Sequence, residues 1–110
     1  MARLESRTPS KVYTVYSWTT KDGHDRDFVA AWQELARLVV NQAGSTKSTR
    51  LFRDVLDERH FLSVDAWNDQ NALTALREEP EFGLKLAELR KLLDNFSSWS
   101  LKLEAEEKAQ

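Results

Sequence analysis

Apolar and polar residues alternate along this chain in blocks whose period switches between about two and about 3.6, and each switch marks an element boundary. The run VYTVYSWTT over residues 12–20 is dense in β-branched and aromatic residues and stops at Lys21-Asp22-Gly23, which predicts a strand closed by a turn. Asp25 then stands where a carboxylate can cap a helix, and Phe28, Trp32, Leu35, Ala36 and Val39 recur on one helical face as far as Gly44, a residue able to take the left-handed terminating conformation. Residues 49–55 and 60–67 read as two strands joined by the polar connection Leu56-Asp57-Glu58-Arg59, short enough for an antiparallel hairpin. Asn68 or Asp69 caps a second helical stretch with Ala72, Leu73 and Leu76 on one side, until Pro80 removes a donor and forces a break. Helix resumes with Phe82, Leu86, Leu89 and Leu93 in one stripe ending near Asp94-Asn95, and residues 98–104 alternate as a last strand.

The order strand, helix, strand, strand, helix, strand predicts an α+β, ferredoxin-like βαββαβ domain with a four-stranded antiparallel sheet and the helices on one face. Residues 1–11, polar and aperiodic, read as a flexible arm, residues 12–104 as the domain, and residues 105–110 as a polar tail. A sheet covered on one side should be polar on the other. Here Leu62, Val64 and Ala66 alternate with Phe61 and Trp67, and Tyr13 and Val15 with Val12, Tyr16 and Trp18, so both faces are apolar. A lone molecule would leave a large apolar patch in water, which predicts a homodimer packed sheet to sheet about a two-fold axis.

Composition narrows the chemistry. Sixteen Lys plus Arg against eighteen Asp plus Glu leave a net charge of -2, which argues against nucleic acid or an anionic membrane as partner. The apolar runs are too short to span a bilayer or to make a signal peptide of the opening residues, and no cysteine is present, so a cytoplasmic protein without disulfides is expected. His24 and His60 are 36 positions apart and match no compact ligand set, and Gly23, Gly44 and Gly83 form no phosphate loop, so neither a metal nor a nucleotide cofactor is expected.

The segment His60-Phe61-Leu62-Ser63-Val64-Asp65-Ala66-Trp67, followed by Asn68-Asp69-Gln70-Asn71-Ala72-Leu73 and Glu79-Pro80-Glu81-Phe82, resembles the antibiotic biosynthesis monooxygenase domain family, with Phe28 and Trp32 at the matching apolar positions of the first helix. The resemblance implies a ferredoxin-like fold that dimerises into an α+β barrel. The haem-degrading branch of the family uses a strand-one asparagine, the tryptophan that ends strand three and a helix-two histidine. Trp67 matches, but the histidine position falls at about Leu86 and the asparagine position near Val15 or Tyr16, and leucine has no lone pair for iron. The cofactor-independent oxygenases of phenolic, quinol or anthrone-like substrates are more compatible, because their substrate, once deprotonated, itself reduces dioxygen. Such chemistry needs an aromatic-lined cavity and a few polar groups for the anion.

On that reading Tyr16, Trp18, Trp32, Arg50 and Trp67 bind the substrate, Arg53 (or Arg50) stabilises a phenolate, and His60 or Asp65 takes the proton. Each has a plainer reading. Trp67 and Trp32 suit core packing, His60 suits a solvated strand end, and the arginines, which sit on opposite sides of the second strand, suit ion pairs. The alternative function is a non-catalytic dimeric module that binds a small aromatic ligand or serves as an interaction domain. RNA-recognition domains share the element order, but Ser63 and Ala66 stand where stacking aromatics are needed.

Overall fold

The computed structural model describes residues 12–41 and 46–109, the side chains of residues 46 and 47 apart. Its elements are β1 (Val12–Thr20), α1 (Asp25–Asn41), β2 (Thr46–Asp54), β3 (Asp57–Trp67), α2 (Gln70–Arg77), α3 (Pro80–Arg90) and β4 (Leu93–Lys102). The strands form one antiparallel sheet in the order β2-β3-β1-β4, the ferredoxin-like arrangement expected from the element order. Among the described residues no helix is long and apolar enough to cross a membrane.

Strand alternation sorts the residues. Thr14, Tyr16, Trp18 and Thr20 of β1 and Phe61, Ser63, Asp65 and Trp67 of β3 face the helices, while Tyr13, Val15, Leu62 and Val64 face away. The core between sheet and helices is aromatic. Phe28 of α1 is fully buried, with its ring 5.4 Å from Trp18 and 4.9 Å from Phe61. Such tilted contacts suit the ring quadrupoles and bury large areas at once. Trp67 of β3, Leu35 and Val39 of α1, Leu73 and Leu76 of α2, Phe82 and Leu89 of α3, and Leu93 of β4 complete this core.

Four local expectations are corrected. Asp25 lies inside the first turn of α1 rather than at its cap, and the His24 carbonyl accepts the first helical bond from the Phe28 amide. The hairpin turn is Val55-Leu56, so of the expected connection Leu56-Asp57-Glu58-Arg59 only Leu56 belongs to it and the other three residues open β3. Asp54 Oδ1 accepts from the Leu56 amide at 2.8 Å, and Asp57 Oδ1 from the Arg59 amide at 3.0 Å, so two aspartates close the turn through their side chains. The apolar tip is left 96% and 92% exposed. Finally, α3 stops at Arg90 and β4 begins at Leu93. The Leu92 amide returns to the Leu89 carbonyl and the Leu92 carbonyl accepts from Lys21, which ties the chain to the β1–α1 turn before the helical stripe is exhausted. That turn needs Gly23, whose φ is +81°. The fourth correction is the far end of β4, which stops at Lys102, short of residue 104.

Two other boundaries follow the sequence. Asp69 caps α2, its Oδ1 accepting from the Ala72 amide at 2.9 Å, and Pro80 opens α3, where its missing N–H costs nothing. Gly44 and the residues of the N-terminal arm lie outside the described residues.

Candidate functional site

The helix-facing side of β3 reads Phe61, Ser63, Asp65, Trp67, so two polar side chains sit between two aromatics in what should be core. Above them residues of α1 and α3 border a cleft. Its floor is Tyr16, Trp18, Ser63, Asp65 and Thr49, and its walls are Trp32, Leu35 and Val39 of α1 with Phe82 and Leu86 of α3. Its free volume is only about 20 Å³. The cleft as it stands holds roughly one water.

Asp65 is the buried carboxylate of this cleft. Only 6% exposed, it receives a hydrogen bond on each oxygen: Thr14 Oγ1 donates to Oδ2 at 2.9 Å and Thr49 Oγ1 donates to Oδ1. Trp67 Nε1 in turn donates to Thr14 Oγ1 at 3.1 Å, which fixes the hydroxyl so that its proton points to the carboxylate. Burial raises the Asp65 pKa above its ordinary 3.8, because a charged carboxylate loses water there; the two threonine hydroxyls oppose the shift and do not cancel it. Beside it the Tyr16 phenol is also raised, by burial first and by the Asp65 charge second, while Arg77 at the end of α2 pulls it down. The second indole, Trp18, donates Nε1 to Ser63 Oγ at 2.9 Å. The result is an apolar, aromatic cleft with one buried carboxylate whose proton affinity is above normal.

Of the residues singled out from the sequence, Asp65, Tyr16, Trp18 and Trp32 meet at this cleft. Trp67, buried at the end of β3, reaches the cleft through Thr14, two hydrogen bonds from Asp65. Arg53 is on the helix-facing side, but it pairs with Phe61 and lies four residues, about 13 Å, along β2 from Thr49. There its guanidinium bonds Asp25 at 3.0 Å and the Glu58 carbonyl at 2.8 Å, and it lies over the Phe61 ring. Arg50 and His60 project from the other side of the sheet, because each is an odd number of residues from its cleft-facing neighbour. His60 therefore cannot share a task with Asp65. Four polar cleft or near-cleft groups were not recognised from sequence: Thr14, Thr49, Ser63 and Arg77. Two of these have a signal, since an Asp on the apolar face of a strand must find donors on the neighbouring strands. Among the described residues no group of three or more His, Cys, Asp or Glu side chains is placed to hold a metal ion.

A family model described as antibiotic biosynthesis monooxygenase matches residues 11–84. No curated protein sequence matches the chain. Among solved structures, SnoaB, a cofactor-independent oxygenase from Streptomyces nogalater, aligns at 19% identity and a TM-score of 0.75, covering 90% of this chain and 96% of that one. A conserved protein of Bacteroides thetaiotaomicron aligns at 12% identity and 0.78, covering 87% and 100%. A conserved protein from Methanosarcina mazei aligns at 13% identity and 0.77, covering 94% and 100%. At such identities these likenesses carry the fold and not the reaction.

Proposed function

The chain belongs to the antibiotic biosynthesis monooxygenase family, and from that premise we propose that it oxygenates a small phenolic, quinol or anthrone-like substrate without a cofactor, as a homodimer. The observation that carries the reading is the buried, hydrogen-bonded Asp65 carboxylate, raised in proton affinity, at the floor of an aromatic cleft.

Asp65 takes the acidic proton of the bound substrate, its pKa having been brought toward that of its task by burial. The threonine hydroxyls hold both carboxylate oxygens in place, and Trp18 and Trp32 offer flat surfaces to an aromatic ring. The Arg77 cation, which already acts on the Tyr16 phenol, helps hold negative charge at the cleft. The substrate anion supplies the electrons that reduce dioxygen. One oxygen atom enters the ring carbon, the other leaves as water, and the oxidised product is a quinone. A polycyclic substrate needs more room than one water, so Trp32 and Leu86, on the helix walls, must swing outward on binding.

The dimer reading draws on the uncovered side of the sheet, where Phe52, Trp99, Leu101 and Leu103 stand 39–50% exposed beside Tyr13, Val15 and Val64. A second copy laid over this surface removes it from water.

Oxygen uptake with a panel of quinols and anthrones tests the function. The wild type is expected to consume one dioxygen per substrate, with an acidic limb in its pH profile displaced above the range of an ordinary aspartate. Asp65→Asn, which keeps the shape and removes the base, is expected to lower the rate by about 100-fold or more. The narrowness of the cleft favours one other reading, a module that binds a small aromatic ligand without turning it over. Binding of such ligands to an intact protein that takes up no oxygen with any of them would establish that alternative and end the enzyme proposal.

A further inference from the structure

The cleft opens on the helix side of the sheet, away from the face that a second copy covers, and its walls are not equally firm. Trp18, Ser63 and Asp65 on the floor and Leu35, Val39 and Phe82 on the walls are at most 7% exposed, so dense packing holds each of them. Trp32 and Ala36 of α1 and Leu86 of α3 are only half-buried and form the mouth. Trp32, Leu35, Ala36 and Val39 share one face of α1, and Ala36 is the small side chain among them. An isobutyl group in place of its methyl would fill the free volume of about 20 Å³. We propose that the cleft selects single-ring phenols and quinols, held hydroxyl-down on Asp65 with the opposite ring position toward solvent, and that Ala36 and Leu86 set this limit. The oxygenase reading enters only through the contact of the hydroxyl with Asp65.

The limit on size follows from which walls can yield. One ring needs more space than one water, and Trp32 can supply it alone. The indoles of Trp18 and Trp67 are each held by a hydrogen bond from Nε1, to Ser63 and to Thr14, whereas among the described residues nothing accepts from Trp32 Nε1. Half-buried and unpinned, Trp32 turns outward without disturbing the core, and its face then covers the bound ring. A second ring fused at the buried end has to displace Leu35, Val39 or Phe82, all members of the core shared with the sheet. That displacement parts α1 from α3, which Lys85 and Glu34, the neighbours of Leu86 and Leu35, bridge at 3.8 Å.

Orientation follows from the polar groups. Asp65, Thr49, Ser63 and the Tyr16 phenol belong to the sheet floor, while the helix walls carry no hydroxyl or charged side chain. A ring hydroxyl buried against those walls is unpaired, so it goes to the floor. The ring position opposite it then lies under the mouth, where a substituent passes between Trp32 and Leu86 into water. In a quinol the second hydroxyl occupies that position and stays hydrated. Groups flanking the buried hydroxyl instead meet Trp18 and Val39, which cannot move aside. Bulk is therefore accepted opposite the hydroxyl and refused beside it.

Calorimetric titration of the full chain in oxygen-free buffer reads the limit without turnover. The ligands are phenol, para-propylphenol, a phenol with both ortho positions methylated, and naphthol. The para-propyl compound is expected to bind at least as tightly as phenol, and the ortho-methylated phenol and naphthol about 10-fold or more weakly. Ala36→Leu should weaken para-propylphenol by about 10-fold or more, and Leu86→Ala should strengthen naphthol by about 10-fold, a gain that mere damage to the fold does not produce. If Ala36→Leu does not fold, Ala36→Val and Leu86→Ala decide the matter. Naphthol bound by the wild type as tightly as phenol, no binding of any phenol, or no gain for naphthol in folded Leu86→Ala overturns the proposal. Oxygen uptake in air separates it from the oxygenase reading. Binding in the expected order with no uptake leaves the size limit standing and ends that reading, whereas uptake that is fastest with an anthrone ends the size limit alone.

Discussion

Replacing Thr14 by Val isolates the hydrogen-bond chain that makes the cleft carboxylate what it is. Valine is nearly the same shape, suits a strand and fits the space, so the change deletes one hydroxyl and little else. That hydroxyl is fully buried and does two things: it donates to Asp65 Oδ2 at 2.9 Å and accepts from Trp67 Nε1 at 3.1 Å. Orphaning the buried indole N–H costs about 1–3 kcal/mol, and withdrawing a donor from a charged carboxylate about 1.5–3 kcal/mol, so the expected loss is about 3–5 kcal/mol at pH 7. Against a total stability of about 5–15 kcal/mol this is easily read.

The loss depends on pH. The folded Asp65 binds its proton more tightly than the unfolded chain, so its favourable contribution is present below its ordinary value of 3.8 and disappears as pH rises through the raised folded value. Thr14→Val raises that folded value further, since Thr14 was one of the groups opposing the shift. The penalty should therefore be larger at pH 7 than at pH 4, by about 1–2 kcal/mol, because a charged carboxylate misses a donor more than a neutral one. Urea unfolding of both proteins at each pH, at one fixed chain concentration, measures it. A penalty under 1 kcal/mol, or one that does not shrink in acid, would refute the account of Asp65 as a buried carboxylate held by this chain.

Three further outcomes are expected. Asp69→Ala removes the cap that accepts from the Ala72 amide and should cost about 1 kcal/mol, visible as a lowered melting temperature. Val55→Ser with Leu56→Ser, at a hairpin tip that touches almost nothing, should change stability by no more than about 0.5 kcal/mol; a large loss would mean that the tip is covered in solution. Leu101→Asp, on the uncovered apolar surface, should give a folded protein that sediments as one chain where the wild type sediments as two. A wild type that is already a single chain at micromolar concentration removes the dimer.

How far the sequence can be read depends on the range of the forces involved. Strand β1 was legible because nine consecutive residues carry one local preference, and the breaks at Asp69 and Pro80 because a side-chain acceptor and a missing donor act within one turn. Val55 misled because a β-branched residue favours a strand only where a surface is there to cover it, and at the tip none is. Leu93 misled because the step from Leu89 fits a helix, yet both residues reach the same core, one from α3 and one from β4.

The chain itself determines its elements, their order and the two apolar faces of its sheet, since each is written in spacings of two to four residues. The groups that meet across the sheet are decided only by strand register. Asp65 finds Thr49 and Thr14, which stand 16 and 51 positions away, and His60 is turned to the opposite face from Asp65 because successive side chains of a strand alternate between its two faces. Asp65 alone carries no chemistry in a list of eighteen acids. Burial between two aromatic residues and contact with two hydroxyls give it that, and both belong to the folded sheet.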